Sequence, residues 1–264
     1  MKMGGLKRRQ KSLTRFFHPL INTLGRKKLK STFKEEPIVI GGCARSGTTL
    51  LMSVLSAHER IYTFPKEIGA FNSWQETKHG LYPTRIDRLY RNILTHHIPE
   101  EATRFCTKAP SNIRHIPEIM DFFNQKVKFI HIVRDARDVL LSKHPDGEDE
   151  FWVKPGRWIK DVSEGLAYQN HPKVHTLKYE DLILDYENTM TKLLDFLELD
   201  FTDQIKNWHD NTAVRQSNAI FENEIKDLHQ QSIGKWKKEE NQEKVNKIMD
   251  YKAIPELLTK LNYR

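Results

Sequence analysis

Arg45, Ser46, Gly47, Thr48 and Thr49 stand between two apolar runs, Ile38-Val39-Ile40 before them and Leu50-Leu51-Met52 after. The first run reads as a buried strand and the second as a helix beginning near Leu50. The stretch Gly41-Gly42-Cys43-Ala44-Arg45-Ser46-Gly47 is then the turn between them. Such a turn can hold an anion. Glycines let the backbone come close, and the amides of a helix's first turn have no partner within the helix and lie at its positive end. From Gly42 to Thr49 the chain nearly spells a Walker A loop, but Thr48 occupies the lysine position and the cation is Arg45, further upstream. A Walker lysine reaches the outer phosphates of a nucleoside triphosphate, and the hydroxyl after it holds magnesium. Without that lysine the groups suit a smaller terminal anion: the amides of Gly47, Thr48 and Thr49, two threonine hydroxyls, and a guanidinium able to make paired hydrogen bonds. A tight strand-to-helix corner capped by Ser46 would carry the same residues without binding anything.

A second unit repeats the pattern. Lys128-Phe129-Ile130-His131-Ile132-Val133 reads as a buried strand, followed by the charged corner Arg134-Asp135-Ala136-Arg137-Asp138 and a helix that carries Ser142. In a parallel sheet, ligands gather at the carboxyl ends of the strands, which puts Arg134 at the rim that also holds Arg45. Two anion sites on one rim fit a ligand phosphorylated at two places. The alternative is a self-contained set of ion pairs among Arg134, Asp135, Arg137 and Asp138.

From these two motifs the chain resembles the sulfotransferases that use 3'-phosphoadenylyl sulfate (PAPS) as donor, and in particular their bacterial and tyrosylprotein-sulfotransferase-like branch. The resemblance covers nearly everything after residue 37. It implies that Ile40 to Leu50 holds the 5'-phosphosulfate through Arg45, Ser46, Gly47, Thr48 and Thr49, and that Ile132 to Ser142 holds the 3'-phosphate through Arg134 and Ser142. Lys178-Tyr179-Glu180-Asp181-Leu182, at the close of a third strand from Val174, is similar to the family's tyrosine motif near the adenosine. Ser232-Ile233-Gly234-Lys235-Trp236 is similar to a late loop that closes over the nucleotide and brings Lys235 to it.

The implied reaction moves a sulfuryl group to an acceptor hydroxyl or amine. It needs preorganised donors where charge builds on the leaving phosphate, and a base in line with the breaking bond. By the resemblance Lys108, in Cys106-Thr107-Lys108-Ala109-Pro110, serves the first need together with Arg45. Many cytosolic members place a histidine two residues after this lysine; here Pro110 stands there, and proline cannot take a proton. Tyrosylprotein sulfotransferases and many bacterial relatives use a glutamate just beyond the first helix, and Glu67 in Phe64-Pro65-Lys66-Glu67 sits at nearly that spacing. A surface glutamate paired with Lys66 is the plainer reading of Glu67. Ser217 resembles a serine that some relatives place near the transferred group. His58 and His115 read as polar surface.

The implied fold is α/β: a P-loop-like three-layer sandwich with a mainly parallel central sheet. The helical stripe Met190, Leu193, Leu194 and Leu197 belongs to its core, and helices around Val245 to Met249 and Pro255 to Leu261 cover a sheet face or edge. The 264 residues, 38% of them hydrophobic, suit one catalytic domain. Ala70 to Arg104, Asp146 to Trp158 and Asn211 to Gln231 show little apolar periodicity and read as loops or short helices over the rim. Phe71, Trp74, Tyr82 and Trp152 there suit either acceptor stacking or simple packing. Nothing in them identifies the acceptor, whether carbohydrate, lipid, small molecule or peptidyl hydroxyl.

The net charge of +8 suggests nucleic acid until it is located. Eleven of the 43 lysines and arginines fall in residues 1–34, which contain no acidic residue, so residues 35–264 carry 32 basic against 35 acidic side chains. A basic segment, 1–34, therefore precedes a catalytic domain, 35–264, and no nucleic-acid partner is expected. Leu13, Phe16, Phe17, Leu20, Ile21 and Leu24 fall at helical spacing within that segment, with Pro19 dividing them. This pattern fits peripheral contact with a membrane, or else an arm packed on the protein's own surface or left disordered. No run approaches the roughly 20 apolar residues of a membrane span, and no secretory cleavage pattern is present.

Two cysteines, Cys43 and Cys106, provide no disulfide framework and fit a reducing, cytoplasmic compartment. Cys43 suits tight packing in the turn, with a reactive thiol at a helix start as the other reading. No metal ligand set is expected. Two rival readings remain: a magnesium-dependent small-molecule or nucleotide kinase with a degenerate P-loop, for which Asp135 is the one acidic candidate, and a non-catalytic nucleotide-binding or membrane scaffold protein.

Overall fold

The structure is a computed structural model, and it describes residues 18–142, 151–214 and 232–263. Five parallel strands form the central sheet: β1 (Ile38–Gly42), β2 (Ile61–Thr63), β5 (Arg104–Lys108), β6 (Lys128–Val133) and β7 (Val174–Lys178), in spatial order β2-β5-β1-β6-β7. Two further strands, β3 (Trp74–Thr77) and β4 (Gly80–Pro83), form a separate antiparallel hairpin. Every residue of β1, β5 and β6 is buried, as expected for strands covered on both faces and built largely from β-branched and aromatic residues. From β1 the chain moves first to one side, through β2 and β5, and then to the other, through β6 and β7. The crevice at the carboxyl end of β1 is therefore a topological switch point.

Alternate β1 side chains sort into two apolar layers. Ile38 and Ile40 pack with α2 (Thr48–Leu55) and with Met190, Leu193, Leu194 and Leu197 of α8 (Tyr186–Leu197). Val39 packs on the opposite face with Phe105, Phe129, Phe64 and helices α3 (Ile86–Thr95) and α4 (Ile116–Phe122). A third cluster joins α5 (Ala136–Leu140), α6 (Pro155–Leu166), α11 (Gln242–Met249) and α12 (Ala253–Lys260) around the fully buried Trp158. The C-terminal helices thus lie on α5 and α6 rather than directly on a sheet face or edge. Three further short helices are α7 (Tyr179–Leu184), α9 (Asp203–Lys206) and α10 (Trp208–Asn211).

Two segments bear on the sequence reading. Residues 70–104 contain α3, whose Ile86, Leu89, Tyr90 and Ile93 are buried at i, i+3, i+4 and i+7. Within a long polar window this one helical stripe is diluted, and that hides its period. In the basic segment the described residues begin at His18, one position before Pro19. α1 runs unbroken from His18 to Thr32, with the proline in its first turn, where a missing N–H costs nothing. α1 packs on α3. At their closest approach a Cβ added at Gly25 would lie 2.2 Å from the Tyr90 Cβ, so glycine lets the two backbones meet. His18 Nε2 lies 3.6 Å from the buried Asp87 carboxylate and closes the start of the contact. Leu13, Phe16 and Phe17 lie outside the described residues.

His131, in the middle of β6, is fully buried against the α6 backbone at Gly165, and burial lowers its pKa to about 3. The unfolded chain takes up a proton near pH 6.5 that the folded chain refuses, so this group's contribution is complete above that pH and is lost as pH falls. Between pH 7.5 and 5.5 it is expected to remove about 1.4 kcal/mol of stability. Denaturant unfolding of the protein and of His131→Gln at both pH values checks this: the variant should show the smaller loss, and equal losses would remove His131 as the cause.

Candidate active site

Four adjacent strands end on one rim. In register, Ile40 of β1 lies opposite Lys108 of β5, Gly42 opposite Ile132 of β6, and Val133 of β6 opposite Lys178 of β7. The groups that follow each strand are therefore brought together: Lys108 from β5, the 43–47 turn from β1, Arg134 from β6 and Tyr179 from β7.

The β1 turn is tight. Gly47 caps α2 with φ +90°, and a Cβ there would lie 2.4 Å from the Tyr179 ring, so the absence of a side chain lets the ring lie on the turn. Arg45 takes φ +70°, unusual for a residue with a side chain and characteristic of strained functional turns. α2 begins at Thr48, two residues earlier than the apolar run suggested, so the amides of Thr48 and Thr49 belong to its first turn. Ser46 is fully buried, and its hydroxyl has no hydrogen-bond partner among the described residues. It does not cap α2, so the corner is not one closed by a capping serine.

Arg134 joins the corners. Its Nη1 donates to the Arg45 carbonyl at 2.9 Å, its Nη2 donates to the Ser232 carbonyl, and its guanidinium stacks 4.3 Å above the Tyr179 ring. Its buried Nε has no partner among the described residues. Arg45 stacks on Trp152 at 4.5 Å. Burial, and then the nearby Arg134, bring the Arg45 pKa down to about 10. Lys235 is lowered by burial, with Arg134 and Arg45 adding to the effect. Three cations thus press on one another across one small region, an arrangement that an anion would relieve.

The neighbouring charges separate into two sets. Asp135 caps α5 through the Arg137 amide and is held by the Arg137 guanidinium at 2.6 Å, so these two satisfy each other and Asp135 is occupied. Asp138 instead accepts from the Gly234 amide at 2.7 Å and the Trp236 amide at 3.4 Å, while Arg137 stacks on Trp236 at 3.5 Å. Tyr179 and Ser232 share a hydrogen bond of 2.7 Å. The late loop is therefore fastened to the rim at Arg134, Asp138 and Tyr179, with Lys235 among the cations. Ser142 is buried at the end of α5, and its hydroxyl donates to the Asp138 carbonyl at 3.2 Å.

On the other side of β1, Lys108 is buried and its Nζ donates to Glu67 Oε2 at 3.1 Å, while Glu67 keeps about a third of its side chain exposed. The partner of Glu67 is thus Lys108, where the plainer sequence reading had Lys66. Pro110 opens a 3-10 turn, Pro110–His115, in which Asn112 Nδ2 donates to the Ile40 carbonyl at 3.0 Å and fixes the end of β1. Arg88 of α3 donates to the carbonyls of Ile68 and Gly69 at 3.3 and 3.4 Å, holding the loop of Glu67. The sequence reading missed both. Neither belongs to a motif, and only the apolar stripe of α3, once recognised, would have directed attention to Arg88.

The histidines and cysteines stand apart. His58 is buried, not surface: its Nδ1 accepts from the Arg60 amide at 3.2 Å, and burial lowers its pKa. His115 is half-buried, 3.7 Å from Glu118 and against Trp74. Burial, reinforced by Asp161, pushes the Cys43 thiol up, so it is a packing residue in the turn. Ser217 lies outside the described residues. Among the described residues no cluster of three or more His, Cys, Asp or Glu is spaced to hold a metal, and no helix is long and apolar enough to cross a membrane.

Comparison with known proteins gives this rim a family. A family model described as a sulfotransferase domain matches residues 35–259. A protein of Caenorhabditis briggsae, described as a putative protein-tyrosine sulfotransferase, is 27% identical over 200 residues, which cover 67% of this chain and 70% of that protein. The fold is shared with the sulfotransferase domain from the curacin biosynthetic pathway (TM-score 0.60, 17% identity, 88% of this chain and 99% of that one). It is also shared with mouse sulfotransferase SULT7A1 complexed with PAP (TM-score 0.56, 16% identity, 86% and 89%). With that match spanning most of its length, the chain belongs to the sulfotransferase domain family.

Proposed function

We propose that the protein transfers a sulfuryl group from PAPS to an acceptor hydroxyl or amine, with Glu67 as general base. The observation that carries this reading is the joining of the Arg45 turn and the loop of Lys235 through Arg134, on the rim that also holds the Lys108–Glu67 pair. The chain's own residues fit the donor: the Ser46 hydroxyl and Arg134 Nε, without a hydrogen-bond partner among the described residues, are buried polar groups of the kind an anion satisfies. The PAP in the SULT7A1 complex is the desulfated form of that donor.

Arg45, Ser46, Gly47, Thr48 and Thr49 would hold the 5'-phosphosulfate. Arg134 and Ser142 would hold the 3'-phosphate, with Tyr179 and Lys235 around the nucleoside. In the reaction the acceptor oxygen forms a bond to sulfur as the bond from sulfur to the bridging phosphate oxygen breaks. The acceptor proton passes to Glu67, and Lys108 and Arg45 meet the charge left on the phosphate. The protein-tyrosine description of the C. briggsae relative makes a peptidyl hydroxyl one acceptor class to test.

Titration calorimetry with adenosine 3',5'-bisphosphate, beside ATP with magnesium, tests the donor assignment. Heat is expected from the first, unaffected by the second. Binding of ATP–magnesium alone would favour the kinase reading.

Arg88 gives a further prediction. If its two bonds to the loop of Glu67 set the base, Arg88→Ala should lower turnover about 10- to 100-fold with calorimetric binding of the bisphosphate unchanged, since small misplacements of a reacting group are costly. Parallel loss of binding would mean the whole rim had moved.

A further inference from the structure

The charged segment outside the catalytic rim has a structural feature that composition did not show. α1 has two faces. Gly25 and Leu29 lie toward the body, on α3, while Leu20, Leu24 and Lys27 fall on the opposite stripe at i, i+4 and i+7. Leu20 and Leu24 are 55% and 47% exposed, and Lys27 and Lys30 beside them are exposed. Among the described residues no ion pair engages Lys27, Lys28 or Lys30. Arg26, by contrast, is turned to the body and donates to the Tyr82 hydroxyl at 3.1 Å.

We propose that this outward stripe of α1 seats the protein on an anionic lipid surface. Charge complementarity selects that occupant. Residues 1–34 hold eleven cations and no acid, whereas residues 35–264 carry 32 basic against 35 acidic side chains. A negative surface therefore attracts this end of the molecule more strongly than the body, whose net charge is slightly negative, which orients α1 toward it. The leucines separate lipid from other polyanions. Phosphates of a nucleic acid or carboxylates of an acidic protein use the lysines and leave two large apolar side chains in water. A bilayer interface takes both, with lysine stems lying along the apolar layer and their ammonium groups at the headgroups. Because α1 is already packed on α3, the helix is formed before it meets the membrane, and binding does not carry the cost of folding it.

The test is sedimentation of the full chain with phosphatidylcholine vesicles and with vesicles containing phosphatidylserine, at low and high salt. The proposal requires binding to the phosphatidylserine vesicles that falls as salt rises, with little binding to phosphatidylcholine alone. Leu20→Ser with Leu24→Ser, and separately Lys27→Glu with Lys30→Glu, should each lower the partition at least tenfold. All four side chains are exposed, so unfolding midpoints and bisphosphate binding should stay unchanged. Absence of vesicle binding, equal binding to both vesicle types, or full binding by the leucine pair variant overturns the proposal. Retention on nucleic acid that survives the leucine changes, without vesicle binding, would assign the cations to a different partner.

Discussion

Glu67→Gln is expected to bind adenosine 3',5'-bisphosphate as tightly as the unaltered protein and to turn over about 10²- to 10⁴-fold more slowly, the range spanned by loss of a positioned general base. The amide keeps the shape of the carboxylate and can still meet Lys108, which donates to it at 3.1 Å. It cannot take a proton at neutral pH. The measurement is kcat with donor saturating, set beside the calorimetric affinity for the bisphosphate. Near-normal turnover would remove Glu67 as base and leave the Lys108–Glu67 pair as a structural clamp between β5 and the loop after β2. A matching fall in affinity would show that the pair shapes the donor site.

Arg134→Ala should do the reverse, weakening the donor far more than it slows the chemistry. A hydrogen bond from a charged donor is worth about 1.5 to 3 kcal/mol, which corresponds to roughly 10- to 150-fold in affinity. Arg134 also donates to the carbonyls of Arg45 and Ser232 and covers the Tyr179 ring. Its loss should therefore loosen the late loop as well, and Arg134→Lys should recover little, since one ammonium cannot span two carbonyls and a ring. Comparing calorimetric affinities of the alanine and lysine variants decides this. A lysine variant close to the unaltered protein would reduce Arg134 to a point charge.

What the sequence disclosed follows from how local each signal is. The turn at Arg45 to Thr49 and the corner at Arg134 were legible because each is contiguous and follows a buried apolar strand, and parallel strands necessarily bring such corners to one rim. Lys108 and Glu67 came from resemblance, and their contact across 41 positions has no local signature at all. Arg88 and Asn112 were illegible for the same reason: each acts on a backbone carbonyl far away in sequence, and a carbonyl is present at every residue. α3 was read only as part of a stretch of loops or short helices, because its four buried apolar positions are diluted by the polar hairpin before it. His58 was misplaced because polarity was taken for exposure, whereas its ring is buried and accepts from a neighbouring amide.

The bond from Arg134 to the Arg45 carbonyl has a consequence for discrimination among ligands. Both corners already carry their positive charge before any nucleotide arrives, and they are fixed to each other through a single guanidinium. Charge alone therefore cannot distinguish one polyanion from another at this rim, since sulfate, phosphate and nucleotides all offer it. On the proposed reading, what would distinguish them is the spacing of the two corners, set by adjoining strands, so that recognition would amount to a ruler for the gap separating two phosphates.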